Sequence, residues 1–146
     1  MEVKIKKISD GATTPTRGSD KAAGYDLYAC MGNENYIIPP RETAKVGTGI
    51  AVEIPDGYWG GIFARSGLAT KQGLRPANCV GVVDSDYRGE VIVALFNDSE
   101  EPRVIHNGER IAQLLFLPYL SVELEEVDEL SDTKRGAGGF GSSGTS

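Results

Sequence analysis

Along much of the chain the hydrophobic positions recur every second residue. Val3 and Ile5, and later Ile50, Val52 and Ile54, alternate with polar or small residues, the period of a strand with one buried face. Val91 to Phe96 and Ile111 to Leu117 are apolar almost without interruption and predict more fully buried strands, and Val122, Leu124 and Val127 continue the pattern less regularly. Between the runs lie Pro39-Pro40, Asp56-Gly57, Gly60-Gly61, Asn97-Asp98 and Asn107-Gly108, which read as turns. The only helix-compatible stretch is short, Gly67 to Gln72. Brief strands without a strand–helix–strand rhythm predict an all-β subunit, a sandwich, jelly roll or small barrel, with one short helix.

At 146 residues the chain suits one domain with a real core. Its 40% hydrophobic and 25% charged residues place it among globular proteins. A formal net charge of −6 argues against nucleic acid or an anionic membrane as partner, since either favours a basic face, so any phosphate must be held by local cations. No run has the apolar length of a membrane span, and MEVKIKKISD is not an apolar signal core, which predicts a cytoplasmic chain. Cys30 and Cys79 fit no disulfide framework or CxxC spacing and read as two reduced, largely buried thiols.

Composition changes after Leu130. Residues 1–130 read as the β core, and 131–146, SDTKRGAGGFGSSGTS, as a flexible arm whose apolar residues are Ala137 and Phe140. A plain linker would have that composition too, but Arg135 and Phe140 set a cation and an aromatic ring in glycine. GAGGFG matches GxGxxG only formally, with no strand before it and no helix after it.

The most informative segment runs from Asn78 to Gly89 and sets Asp84, Asp86, Tyr87 and Arg88 around a tight turn between apolar runs, as in a hairpin with a functional tip. Two acids in a turn are equally served by bonding their own backbone, and a direct metal site would want more oxygen ligands. Asp84, set against Val83, is the candidate general base. Arg65-Ser66-Gly67 follows the strand end Ile62-Phe63 and opens the short helix, a corner that presents amides, a hydroxyl and a guanidinium to an anion, or an ordinary Ser cap beside a solvated Arg. Gln113, polar within an apolar run, faces solvent or a ligand. His106 is the only histidine, which leaves a His-based triad or a multi-His zinc site without members.

In order, these segments resemble the motifs of the trimeric dUTPase family: Ala23 to Ala29 the first, Arg65 to Ala69 the second, Asn78 to Gly89 the third, Gly108 to Gln113 the fourth, Arg135 to Ser142 the fifth. The resemblance implies a jelly-roll or distorted β-barrel subunit and a homotrimer with sites between subunits, each closed by the arm of a neighbour. It implies hydrolysis of dUTP to dUMP and pyrophosphate by water attack on the α-phosphorus, which keeps uracil out of DNA and supplies dUMP for dTMP synthesis. Asp84 then activates the water. Arg65, Ser66 and Gly67 hold phosphates, assisted by Gln113. Asn78, Gly81 and the backbone of Val82 and Val83 read the uracil edge, and Tyr87 packs under the deoxyribose. From the arm, Phe140 stacks on the base, while Arg135, Gly141 and Ser142 enclose the outer phosphates. Mg²⁺ sits on the triphosphate oxygens, touched by Asp26 only through water.

Two rivals share this scaffold. A dCTP deaminase uses a catalytic Glu whose motif is not evident here, and a non-catalytic jelly-roll trimer has no need of Asp84, Arg135 and Phe140 together.

Overall fold

The computed structural model describes residues 1–141 and Gly144. Its strands are β1 (Lys4–Lys7), β2 (Tyr25–Tyr28), β3 (Tyr36–Ile38), β4 (Thr43–Glu53), β5 (Tyr58–Phe63), β6 (Leu74–Pro76), β7 (Gly81–Val83), β8 (Glu90–Asn97), β9 (Arg103–Ile105) and β10 (Arg110–Pro118). They build two four-stranded antiparallel sheets, ordered β1-β4-β8-β6 and β2-β10-β5-β7, with a small β3-β9 pair beside them. Val46, Ile50 and Val52 of β4 and Val91, Val93 and Leu95 of β8 share one buried cluster with Leu27, Ile62, Val83, Ile111 and Leu114 of the other sheet. The result is a jelly-roll-like sandwich, the expected all-β class.

Burial refines the strand reading. β8 alternates, with Val91, Val93, Leu95 and Asn97 buried but Ile92 exposed, because one of its faces meets the core and the other does not. β10 is closed at Ile111, Ala112 and Leu114 and only half-buried from Leu115 to Leu117. β1 is exposed along its whole length as the edge of its sheet. In β4 the pairing with β8 slips between Gly47↔Ile92 and Ala51↔Glu90. The slip is held by Thr48 Oγ1, which donates to Val91 O at 2.5 Å, and by the Gly49 N–H, which donates to Glu90 Oε2 at 3.0 Å with Gly49 at φ +70°. Beyond it, Thr48 to Val52 are all buried.

Several sequence expectations are corrected. Gly60-Gly61 is not a turn but the middle of β5, where a Cβ on Gly60 would lie 3.0 Å from Ile54 Cδ1 and 3.1 Å from Leu114 Cδ1. The helix covers Leu68–Gln72 and is a single wide π-type turn whose cap position, Gly67, makes no side-chain cap bond. Val122, Leu124 and Val127 belong to no strand: Tyr119 to Leu130 is exposed throughout. Cys79 is exposed, in the left-handed region at φ +65°, and Cys30 only half-buried. The segment with Asp84 is not a hairpin either, since β7 pairs with β5 in one sheet while β8 pairs with β4 and β6 in the other. The turn carries the chain from sheet to sheet. Among the described residues no helix is long and apolar enough to cross a membrane.

Candidate active site

Two clusters carry most of the expected site residues. The first lies where β10 is flanked by β2 and β5, which puts Gln113 level with Asp26 on one side and Phe63 on the other. Gln113 Nε2 donates to Ala64 O at 2.9 Å, which ties β10 to the chain just before Arg65. Arg65 Nε donates to Asp26 Oδ1 at 3.1 Å, and Arg110 Nη1 stands 3.6 Å from Asp26 Oδ2. One carboxylate, with its side chain 14% exposed, is thus shared by two guanidiniums, leaving the group with an excess of positive charge. Gly24 abuts the Gln113 Oε1, where a side chain would collide. Ser66 and Gly67 complete the wall of a cavity of about 280 Å³.

Arg110, which lies within the fourth motif but to which the sequence reading assigns no role, also lines this cavity. In a regular strand it would share a face with Ala112 and Leu114, which are buried. The β10–β2 register instead slips between Arg110↔Tyr28 and Ala112↔Leu27, so Ile111 is an extra residue and Arg110 arrives on the Gln113 side. Its place in the fourth motif and its charge at the head of an apolar run mark it in the sequence, but a bulge cannot be read from either.

The second cluster is the crossing from β7 to β8. β7 sits against β5 with Gly81 opposite Ile62 and Val83 opposite Gly60. A Cβ on Gly81 would be 3.0 Å from Ile62 Cβ, so glycine lets the two backbones close up. Val83 is buried and the Val82 side chain points out, 64% exposed. Asp84 follows as an exposed carboxylate. The turn is closed by backbone, Tyr87 N–H donating to Asp84 O at 3.1 Å, so the acid is not consumed in holding its own loop. Tyr87 Oη donates to Glu90 O at 2.7 Å and Arg88 Nη1 to Ser85 O at 2.6 Å. Asn78, Gly81 to Asp84 and Tyr87 line a cavity of about 220 Å³.

The two clusters share no lining residue. Asp84 follows Val83, which is level with Gly60, and so stands beside the Trp59 end of β5, whereas Arg65 lies past the other end at Phe63. From residue 59 to residue 65 at roughly 3.3 Å per residue is about 20 Å. The cavity at Arg65 is smaller than the roughly 300 Å³ at which small-molecule sites begin, whereas Val82 and Asp84 also line a second, larger one of about 670 Å³ with Trp59 and Tyr119. The described residues of the arm line none of these cavities. Arg135 folds on itself, Nε donating to Gly138 O at 2.8 Å, Phe140 stands fully exposed at φ +52°, and Gly141 is exposed. Ser142 lies outside the described residues.

A β-sandwich with one positively charged cavity and a separate acid-bearing turn suits a phosphate ligand, and comparison with known proteins gives the class. The sequence model of the dUTPase family matches residues 10–144, and the chain belongs to that family. The deoxyuridine 5'-triphosphate nucleotidohydrolase of Nautilia profundicola is 49% identical, over 99% of this chain and 99% of that one. Among solved structures, the Staphylococcus bacteriophage 80alpha dUTPase with dUPNHPP superposes with a TM-score of 0.85 at 31% identity, covering 99% of each chain. A mutant dUTPase of S. aureus phage phi11, described with a structural Mg(II) ion, superposes at 0.81 with 25% identity, covering 90% of this chain and 100% of that one.

Proposed function

We propose that the chain is a dUTP diphosphatase, hydrolysing dUTP to dUMP and pyrophosphate at sites assembled between copies of itself. The observation that carries the assembly is the separation of Asp84 from Arg65 along β5. A triphosphate held by Arg65, Ser66, Gly67 and Gln113 in one chain is beyond the reach of that chain's Asp84, so the water-activating carboxylate comes from a neighbour. Closed symmetry, here a homotrimer, lets every copy give and receive one half.

In such a site Asp84 accepts the proton of the water that attacks the α-phosphorus, as a general base at hydrogen-bond reach does. Arg65, with Arg110 beside it, holds the phosphates of the bound substrate by positive charge. Asn78, Gly81 and the backbone of Val82 and Val83 match the uracil carbonyls and N–H. Cytosine, with donor and acceptor reversed, would leave buried groups unpaired. The ring of Tyr87 takes the deoxyribose face and excludes a 2′-hydroxyl. Residues 131–146 form an arm that closes over a neighbour's site, bringing Phe140 to the base and Arg135, Gly141 and Ser142 to the outer phosphates.

The phosphate cavity contains one carboxylate, Asp26, too few for an all-protein cage but suited to Mg²⁺ carried mainly on substrate oxygens and water. Bound there, Mg²⁺ would neutralise charge on the triphosphate, with Asp26 meeting it through water while still holding Arg65 and Arg110.

Pyrophosphate release by the purified protein, measured over dUTP, dCTP, dTTP and UTP with and without Mg²⁺, tests the reading. Release confined to dUTP and dependent on Mg²⁺ is expected. Ammonia from dCTP would make the protein a deaminase, and binding without turnover would make it a non-catalytic module.

A further inference from the structure

We infer that Gly89 is a specificity-determining residue, one whose missing side chain allows the Tyr87 ring to fold back across the turn and so sets the wall that the sugar meets. This rests on the reading of Tyr87 as the deoxyribose-facing ring.

The geometry is local and closed. Tyr87 N–H is bonded to Asp84 O, and its phenol reaches over Gly89 to donate to Glu90 O at 2.7 Å. A Cβ built on Gly89 would meet only this ring within 4 Å in the three nearest contacts: 2.5 Å to Tyr87 Oη, 2.7 Å to Cζ and 3.0 Å to Cε1. Gly89 is not among the glycines with positive φ, so no left-handed backbone demands glycine there. What demands it is the ring.

Nor does core packing fix the ring, which is 44% exposed. Its position follows from the bond to Glu90 O and the flat approach over Gly89. The backbone on the other side is anchored, since the Glu90 carboxylate accepts from Gly49 N–H at 3.0 Å and the Arg88 guanidinium lies 3.6 Å from Glu53. When alanine replaces Gly89, the free end of the tyrosine therefore moves rather than the strand. The displaced ring loses its carbonyl partner and opens space on the sugar side, where discrimination is steric and a misplaced wall admits the bulkier ligand.

The test is the ratio of kcat/KM for dUTP to that for UTP in four proteins: wild type, Gly89→Ala, Tyr87→Ala and the double variant. Gly89→Ala is expected to lower the ratio about tenfold, the scale of losing one steric contact. In the Tyr87→Ala background it is expected to lower the ratio no further, because there is no ring left to displace. Tyr87→Phe, which keeps the ring but gives up the bond to Glu90 O, should lie between wild type and Gly89→Ala. A wild-type ratio in Gly89→Ala, alongside a reduced ratio in Tyr87→Ala, overturns the role of Gly89 alone. An unchanged ratio in Tyr87→Ala removes the sugar reading of the ring, and this inference with it. A further fall in the double variant over Tyr87→Ala shows that Gly89 acts without the ring and also overturns the proposal. Gly89 is exposed, and a melting temperature within a few degrees of wild type in the alanine variant would separate selectivity from unfolding.

Discussion

The phosphate cavity and the Asn78–Gly89 crossing are both built on β5, yet they are held together by different forces. In the cavity, side chains from β2, β10 and the exit of β5 are fixed by strand register and by ion pairs around Asp26. In the crossing, the chain is closed by its own backbone and by Tyr87 and Arg88 bonding to carbonyls within the turn. Under the proposed function the first can be electrostatic because its ligand is a polyanion. The second must tell bases and sugars apart, which is a matter of shape and of donors matched to acceptors, and a loop bonded to itself keeps its shape without help from the ligand. Their placement at opposite ends of one strand is the ground for the proposal that a complete site draws on a neighbouring copy.

The strongest way to break this comparison is to disable one region at a time. Asp84→Asn is expected to lower kcat by at least about a hundredfold while dUTP binding stays near normal, the signature of a lost general base. Turnover and calorimetry together decide it, and near-normal turnover would take Asp84 out of the mechanism. Arg65→Ala should instead weaken binding. Unfolded, mixed in equal parts, refolded together and assayed at a dUTP concentration too low to fill the Arg65→Ala site, the two variants should recover about a quarter of wild-type activity, because in a randomly mixed trimer about one site in four receives an intact half from each of two chains. No recovery would mean that both halves come from one chain.

Removing everything after Lys134 probes a third region, whose described residues line the cavities of neither cluster. Residues 131 to 137 are all exposed, and Phe140 buries nothing. The loss should therefore barely change the melting temperature, yet slow turnover about ten- to a hundredfold as positive charge and cover from water are lost in the closed state. Within the arm, Arg135→Ala should lower kcat, whereas Phe140→Ala should raise KM. Unchanged constants in the truncated protein would reduce the arm to a linker.

Sequence shows the chemistry of these regions better than their placement. Short apolar runs between turn residues expose the β-rich class, but not the burial within each strand: β8, apolar almost throughout, buries only every second residue. Asp84, Arg65 and Gln113 stand out because a charge or amide beside an apolar run is conspicuous. What stays hidden is non-local. A tight turn between apolar runs reads the same whether the strands pair or part, so the crossing at Asp84 passes for a hairpin. Gly60-Gly61 passes for a turn because a string of letters does not record Ile54 and Leu114 pressing on a strand. The alternation of β1 predicts one buried face, but an edge strand needs a neighbour to cover it. Arg110 depends on a bulge.

That bulge supplies the gentlest test of the contrast between charge and shape. Arg110 is about half-exposed, 51% by side chain, so its attraction to a phosphate is screened by water and should contribute no more than about 1 kcal/mol. Arg110→Gln should accordingly raise KM for dUTP about fivefold or less and leave kcat within about twofold. Because the interaction is electrostatic, the difference from wild type should shrink as ionic strength rises and the screening length shortens. Tyr87→Ala acts through the fit of an uncharged ring, so its effect on the dUTP-to-UTP ratio should hold constant across the same salt series. Steady-state kinetics of both variants at low and high salt read the two behaviours side by side. A kcat effect for Arg110→Gln with KM unmoved would assign the residue to orienting Asp26 and Arg65 instead of to the phosphates, and salt dependence in the Tyr87 variant would put charge where shape is claimed.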